Sequence, residues 1–288
     1  MSRSIFLAAL WFIASLGPQF SDGAERVALV IGNSKYAGEA ALRSPSNDAD
    51  AMEAALQGLA FTVIKRKDLE LAQMEDALGE FRRALTKGSL GLFYYAGDGM
   101  EVNGKNFLVP IGAKLQEESD AIRQCLLVDR LMDAMAESQS DLKVVVLDCG
   151  RENPFKHTRK SSGSGGDQAT MAEFPEGTLI AFATSPNRPA RDAAVDHSPF
   201  TKHLVGTLKS RPPGGLELVD VFRSAMSALK RETGQTAWFS YDASMDTFYL
   251  WQATSSEPSP STGTAVSPRD QKQEGDTNNR DESAKSRS

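Results

Sequence analysis

A cysteine stands at the end of an apolar run in the segment VVVLDCGRENP, Val144 to Pro154. The aliphatic residues lead into Asp148, Cys149 and Gly150, and a proline follows, a pattern that indicates a buried strand opening into a loop. A cysteine in such a place is a candidate nucleophile. It would need an imidazole that takes the thiol proton and later returns that proton to the leaving amine.

The loop expected to face Cys149 carries a carboxylate in place of an imidazole. Another apolar run ends at Asp98 in the segment YYAGDGM. A carboxyl pKa of about 3.9 lies about 4.6 pKa units below that of a thiol, a mismatch of about 6 kcal/mol. Charges on Asp98 and Asp148 would also raise the thiol pKa, whereas reactive cysteines lie in electropositive surroundings. Neither His157, in a Ser- and Gly-rich loop, nor His197, a predicted surface or loop residue, is expected to replace the missing base.

The chain alternates short apolar runs with stretches of helical periodicity. The predicted strands are Arg26 to Gly32, Phe61 to Arg66, Leu90 to Gly97, Leu142 to Asp148, Gly177 to Thr184 and, closing the sheet, Asp246 to Leu250. The predicted helices begin near Asn47 and Leu71 and cover Val128 to Ala136, Pro199 to Leu208 and Leu216 to Glu232. This order predicts an α/β fold with a mostly parallel sheet of about six strands, covered by helices on both faces.

The parallel sheet predicts where a ligand would bind. In such sheets the crevice lies outside the carboxyl ends of the strands. That rule places Asp98, Asp148, Cys149 and Gly150 in one crevice. The dipeptide Asn103-Gly104, between two short apolar segments, also predicts a hairpin just beyond Asp98.

The N-terminal segment is typical of a signal peptide. Residues 1–23 contain Arg3, an apolar run from Ile5 to Leu16 and small residues near the end, with cleavage expected near Gly23 or Ala24. The apolar run is shorter than the roughly 20 residues that a membrane span needs. The sequence therefore predicts a secreted or periplasmic protein without a stable membrane span.

The C-terminal segment, residues 252–288, is polar and contains no aromatic residue. Its burial of apolar surface would not offset the entropy cost of ordering, so we expect a disordered tail. One domain is predicted between the two ends, over residues 25–251. The net charge of −6 without a basic block argues against nucleic-acid binding, and the three histidines show no metal-ligand spacing.

Six segments in a fixed order resemble the caspase-like cysteine peptidases of bacteria, which are relatives of metacaspases and caspases. The segments are RVALVIGNSKY, LRSPSNDADAMEAAL, FYYAGDGMEVNGKNFLVP, VVVLDCGRENPF, GTLIAFATSPN and SPFTKHL. They appear in the family's order and are spread from Arg26 to Leu204. The resemblance implies a three-layer α-β-α caspase-like sandwich and cysteine endopeptidase activity as the family's chemistry.

Both positions of the family's catalytic dyad are substituted in this sequence. The family reads Tyr-Tyr-Ala-Gly-His-Gly after the third strand and Leu-Asp-Ala-Cys-Arg-Asp-Asn-Pro after the fourth, which places the catalytic histidine on Asp98 and the catalytic cysteine on Gly150. Cys149 stands where the family usually has Ala or Ser. Since side chains alternate along a strand, Cys149 faces away from the nucleophile position if the extended backbone continues to Gly150. A loop that flexes at Gly150 and turns Cys149 round is the alternative.

Two acidic residues match the family's specificity pocket. In metacaspase-like members, an Asp of an Asn-Asp-Ala segment and the Asp two residues before the cysteine bind a basic side chain. These match Asp48 and Asp148, and carboxylates suit Lys or Arg because the contacts are charge-assisted. The alternative roles are structural: helix capping for Asp48 and a hydrogen-bonded carboxylate at a strand end for Asp148.

The sequence therefore predicts a caspase-like domain protein without catalytic activity, a pseudoprotease that acts by binding or regulation. The expected partner is a peptide or protein with a basic residue, or an active caspase-like relative. One alternative is an active cysteine endopeptidase that cleaves after basic residues with Cys149 in a shifted geometry. Another is a divalent-cation-binding module in which Asp48, Asp98 and Asp148 hold Ca²⁺, which takes carboxylate oxygens. No other metal or cofactor is expected.

Overall fold

A computed structural model describes the chain over residues 24–37, 41–155, 174–186, 188, 196–242, 245 and 248–252. The predicted signal peptide, the predicted tail after Gln252 and His157 lie outside the described residues. Within these ranges, no helix combines the length and the apolar character that crossing a bilayer requires.

The chain forms eleven strands and six helices over the described residues. The strands are β1 (Arg26–Gly32), β2 (Thr62–Lys67), β3 (Leu90–Ala96), β4 (Gly99–Val102), β5 (Lys105–Leu108), β6 (Leu126–Leu127), β7 (Leu142–Asp148), β8 (Thr178–Phe182), β9 (Leu216–Glu217), β10 (Trp238–Tyr241) and β11 (Tyr249–Trp251). The helices are α1 (Pro45–Gln57), α2 (Leu71–Ala84), α3 (Glu118–Gln124), α4 (Val128–Glu137), α5 (Pro199–Leu208) and α6 (Leu218–Thr233).

Six strands form the central sheet in the order β10-β8-β7-β3-β1-β2. The five strands from β8 to β2 are parallel, and β10 is antiparallel to β8. The predicted α/β class and the mostly parallel sheet of about six strands are confirmed. The predicted closing strand, Asp246 to Leu250, is wrong: β11 pairs with β9 in a separate two-stranded sheet. The strand at this edge is β10, a short segment whose residues are only partly buried and which lacks the continuous apolar run of the inner strands.

Apolar side chains of the sheet alternate between two helical layers. On β7, Val144 and Val146 pack in the cluster that includes Phe200 of α5 and Phe222 of α6. Val145 and Leu147 point the other way, into the cluster built with α2 and α4. Because successive side chains of an extended strand face opposite sides, continuous apolar runs are what a sheet buried on both faces needs. The result is the predicted three-layer α-β-α arrangement.

A small antiparallel sheet, in the order β4-β5-β6, lies beyond the carboxyl end of β3. Its first two strands form the hairpin predicted from Asn103-Gly104, and both turn residues have positive φ values, 51° and 76°. Asn and Gly accept this backbone conformation with little strain, which is why they favour such turns. The N–H of Val109, just after β5, donates to the carbonyl of Asp98 at 3.0 Å, so the small sheet is tied to the loop that carries Asp98.

Candidate functional site

A cavity of about 440 Å³ opens where the carboxyl ends of β3 and β7 meet the start of α1. Its polar wall contains Asp48, Asp98, Asp148, Gly150, Glu152 and Ser198. Four carboxylates therefore line one cavity, at the sheet edge where parallel α/β proteins bind ligands. Of the site residues predicted from the sequence, the cavity brings together all except Cys149.

Cys149 does not line the cavity, and its side chain lies on the face of the sheet that packs against α2 and α4. Its side chain is 3% exposed and packs in the same cluster as Leu147 and Phe182. Burial raises the pKa of the Cys149 thiol, and the charges of Asp148 and Asp98 raise it further, against an opposing effect of Arg151. Among the described residues, no imidazole makes a hydrogen bond or an ion pair with this thiol. The sulfur therefore packs as a small apolar group and is not poised as a nucleophile.

Gly99 covers the Cys149 sulfur and gives a direct test of where the thiol lies. A Cβ placed on Gly99 would come within 2.6 Å of Cys149 Sγ. We expect Gly99→Ala to lower the free energy of unfolding by about 1–3 kcal/mol, the usual cost of overpacking a core. The double variant Gly99→Ala/Cys149→Ala should recover part of that loss, because it removes the clashing sulfur. Denaturant unfolding of both variants measures the difference; equal losses in the two would mean that the thiol does not lie beneath Gly99.

Asp98 lines the cavity, and hydrogen bonds hold the loop that carries it. Its carboxylate accepts the Gly99 N–H at 2.8 Å, and its own backbone N–H donates to the Tyr36 hydroxyl at 2.9 Å. The Tyr95 hydroxyl contacts both the Asp98 carbonyl and the Val109 carbonyl, at 2.9 and 2.8 Å. The Asp98 side chain reaches solvent, but the surrounding protein partly desolvates it. This desolvation raises the pKa of the carboxyl, and the hydrogen bond from the Gly99 N–H opposes the effect.

Asp48 and Asp148 are buried at the inner end of the cavity and are held by the start of α5. The Asp148 carboxylate accepts hydrogen bonds from the Ser198 hydroxyl and, at 2.6 Å, from the Thr201 hydroxyl. The Ser198 N–H lies 3.1 and 3.2 Å from the two carboxylate oxygens of Asp48. Ser198 is the N-cap of α5, and its hydroxyl accepts the Thr201 N–H at 3.0 Å. One serine thus connects both carboxylates to the positive end of a helix, where negative charge is stabilised.

His197 also joins this group. Its Nδ1 lies 3.0 Å from Asp48 Oδ1, although the two residues are far apart in the sequence. Sequence reasoning gave no site role to His197, Ser198 or Thr201. A signal was present, since the segment SPFTKHL predicts a capped helix start with Ser before Pro. The motif could not indicate which strand or helix the start of α5 would face.

The three carboxylates of the calcium alternative have different hydrogen-bond partners. Among the residues described by the structure, no group of three or more His, Cys, Asp or Glu side chains is placed to hold a metal ion. Asp48 and Asp148 turn toward hydrogen-bond donors of α5, whereas Asp98 bonds the backbone of its own loop. The structure therefore offers no support for the cation-binding alternative at this site.

A buried ion pair anchors the loop that follows Gly150. Arg151 Nη2 lies 2.6 Å from Glu101 Oε2 on β4, and the two side chains are 3% and 4% exposed. Arg151 Nε donates to Asn106 Oδ1 at 3.0 Å, and the guanidinium lies 4.0 Å from the centre of the Phe182 ring. Burial lowers the pKa of Arg151, and Glu101 opposes that effect. The pair holds the loop against the β4–β5 hairpin and so fixes two walls of the cavity relative to each other.

Comparisons with known proteins agree with this architecture. The family model of the caspase domain matches residues 25–249. The chain is 36% identical over 135 residues to mucosa-associated lymphoid tissue lymphoma translocation protein 1 of Homo sapiens and, to the same extent, to its homolog in Mus musculus. The matched region is 46% of this chain and 16% of each relative, so it spans about a sixth of their length.

A solved structure supports the same fold. The crystal structure of the Drosophila initiator caspase Dronc superposes with a TM-score of 0.54, covering 78% of this chain and 82% of that chain. Its identity of 13% makes this a likeness of fold alone. With a family match over most of its length, this chain is a caspase-like peptidase domain protein and belongs to the caspase domain family.

Proposed function

We propose that this protein is a pseudoprotease, a caspase-domain protein that binds a basic segment of a peptide or protein without cleaving it. One observation carries the proposal. The positions that match the family's catalytic histidine and cysteine hold Asp98 and Gly150, and both line the cavity. The neighbouring thiol, Cys149, is buried on the face of the sheet that packs against α2 and α4.

The chemistry of these groups supports the loss of cleavage. A carboxyl ordinarily ionises several pKa units below a thiol, so Asp98 is a poor base for a cysteine and a poor proton donor for a leaving amine. Gly150 has no side chain that could attack a carbonyl. Cys149 would have to leave its apolar site, lose a proton against a raised pKa and find an imidazole.

The remaining parts of the cavity suit a long basic side chain. Asp48 and Asp148 lie at the inner end, held by donors that favour their charged forms. Leu42 and Met100 supply apolar surface along which the aliphatic stem of Lys or Arg can pack. Charge-assisted contacts between a guanidinium or ammonium and carboxylates are among the stronger hydrogen bonds in proteins. The proposed ligand is therefore an exposed Lys or Arg of a peptide or protein, including one on an active caspase-like relative.

A peptidase assay tests the loss of cleavage. We expect purified protein to hydrolyse peptide amides ending in Arg or Lys no faster than buffer does, with no difference for Cys149→Ser. We also expect no covalent labelling of Cys149 by an electrophile that carries a basic side chain. Turnover that disappears in Cys149→Ser would contradict the proposal and favour the active endopeptidase that uses Cys149.

Calorimetric titration tests the binding part. An N-acetylated peptide amide with one central Arg should bind, and the same peptide with Ala in place of Arg should not. Asp48→Asn and Asp148→Asn should each weaken binding, whereas Asp50→Asn, an exposed α1 residue that pairs with Lys65 and Lys67, should not. Equal binding of the Arg and Ala peptides would exclude recognition of the basic side chain.

A further inference from the structure

The imidazole of His197 is a basic group already in contact with the acidic end of the cavity. Its Nδ1 lies 3.0 Å from Asp48 Oδ1, and the two side chains are 40% and 1% exposed. Solvent can therefore protonate the imidazole while the carboxylate stays buried. Protonated His197 would place a positive charge against the same carboxylate that the proposed ligand uses.

The backbone around His197 keeps the imidazole in this position. The carbonyl of Asp196 accepts a hydrogen bond from Asn47 Nδ2 at 3.1 Å, and the Ser198 N–H bonds Asp48. Both neighbours of His197 are thus tied to α1, the helix that carries Asp48. Three hydrogen bonds join this short segment to the helix, counting the one from the imidazole itself.

We propose that His197 is a specificity-determining residue of the cavity, an internal cation that competes with a basic ligand for Asp48 when it is protonated. The inference rests on the proposed function, since it needs a basic ligand in the cavity. An opposite charge in contact commonly shifts the protonation equilibrium of its partner tenfold or more. Coupling between two groups that bind the same site is reciprocal, so ligand affinity should fall by about tenfold when His197 is protonated.

The sign of the pH dependence follows from this competition. Each imidazole that gains a proton adds the competing charge, so binding of a basic ligand should weaken as the pH falls. Asp98 also lines the cavity, and burial raises the pKa of its carboxyl, so a variant without this carboxyl isolates the effect of His197. Tyr94, whose pKa burial raises, stays neutral as the pH falls. Among the described residues, Asp148 and Glu152 also line the cavity, and Asp196 precedes His197 in the chain.

The test compares variants that differ in charge at one position. His197→Asn keeps a donor at the place of Nδ1 and carries no charge, whereas His197→Arg is charged at all accessible pH values. The matched control is His203→Asn, because His203 also pairs with a carboxylate, Glu232 at 2.7 Å, but lies outside the cavity wall. His157→Asn serves as a second control, and Asp98→Asn removes the other group expected to titrate.

Calorimetric titration measures binding of the Arg peptide at about pH 5.5 and about pH 7.5, within the range over which histidine side chains in general change charge. The Asp98→Asn protein should bind about tenfold more weakly at the lower pH. Adding His197→Asn should abolish that difference, and adding His197→Arg should give weak binding at both values. The His203 and His157 controls should behave like the parent. Circular dichroism and thermal unfolding check that each variant is folded.

The outcomes separate this inference from the proposed function. If the parent binds the Arg peptide equally well at both pH values, or if His197→Asn keeps the full difference, the competition is wrong and the binding proposal stands. If no variant binds the peptide at either pH, the binding proposal is wrong and the inference falls with it. If the parent binds the peptide weakly and His197→Asn binds it more tightly, the result would support both the competition by His197 and the binding proposal.

Discussion

Restoring histidine at Asp98 and cysteine at Gly150 together should produce cysteine-dependent cleavage after Arg or Lys that is much faster than in either single variant. The double variant supplies both the thiol and the base that the family's chemistry requires. A positioned general base contributes about 10²–10⁴-fold to such a reaction. We therefore expect the double variant to exceed Gly150→Cys alone by about 10²-fold or more, measured with peptide amides of Arg and Lys.

The two substituted positions, Asp98 and Gly150, line the same cavity. Gly150 is not among the described glycines with positive φ, the backbone region that disfavours side chains. The backbone at position 98 is held by Tyr36, Tyr95 and Val109, none of which bonds the Asp98 carboxylate. Replacing that carboxylate should leave the loop in place.

Cys149→Ala in the restored protein is the critical control. Because the native thiol is buried on the face of the sheet that packs against α2 and α4, its removal should leave the gained activity intact. Loss of activity in this triple variant would show that Cys149, not the new cysteine, is the nucleophile. A folded double variant that still binds Arg peptide but cleaves nothing would mean that positions 98 and 150 do not meet in a catalytic geometry.

Arg151→Met should lower the free energy of unfolding by about 3–5 kcal/mol, the usual cost of removing one partner of a buried ion pair. The loss comes mainly from Glu101, which would keep its charge in a site that is 4% exposed. Asn106 would also lose its hydrogen bond from the guanidinium. Urea unfolding followed by tryptophan fluorescence measures the change.

Two comparisons show whether the uncompensated charge is the cause. The double variant Arg151→Met/Glu101→Leu should recover much of the loss, because apolar replacement of a whole buried pair is often neutral or stabilising. Arg130→Met, which breaks a surface pair with Glu75 whose side chains are 67% and 46% exposed, should cost no more than about 1 kcal/mol. A loss in Arg151→Met no larger than in Arg130→Met would contradict a structural role for the buried pair.

The sequence by itself was enough for the fold class. The inner strands are continuous apolar runs because a parallel sheet is buried on both faces, and this signal is local. The hairpin at Asn103-Gly104 was also predictable from a local signal, because the turn conformation depends on those two residues. The assignment of the family's dyad positions to Asp98 and Gly150 rests on the flanking motifs and stays a prediction.

Only the tertiary structure decided which groups meet. The short helix α3 was missed, and β10 was not recognised as an edge strand, because short or partly exposed elements lack a clear apolar period. Asp48 contacts His197 and Ser198 only because α5 docks beside the carboxyl end of β7, far along the chain. Hydrogen bonds and charges act over a few ångströms of space, whereas periodicity reports only local conformation and burial, so the partners of the acidic pair depend on how the layers pack.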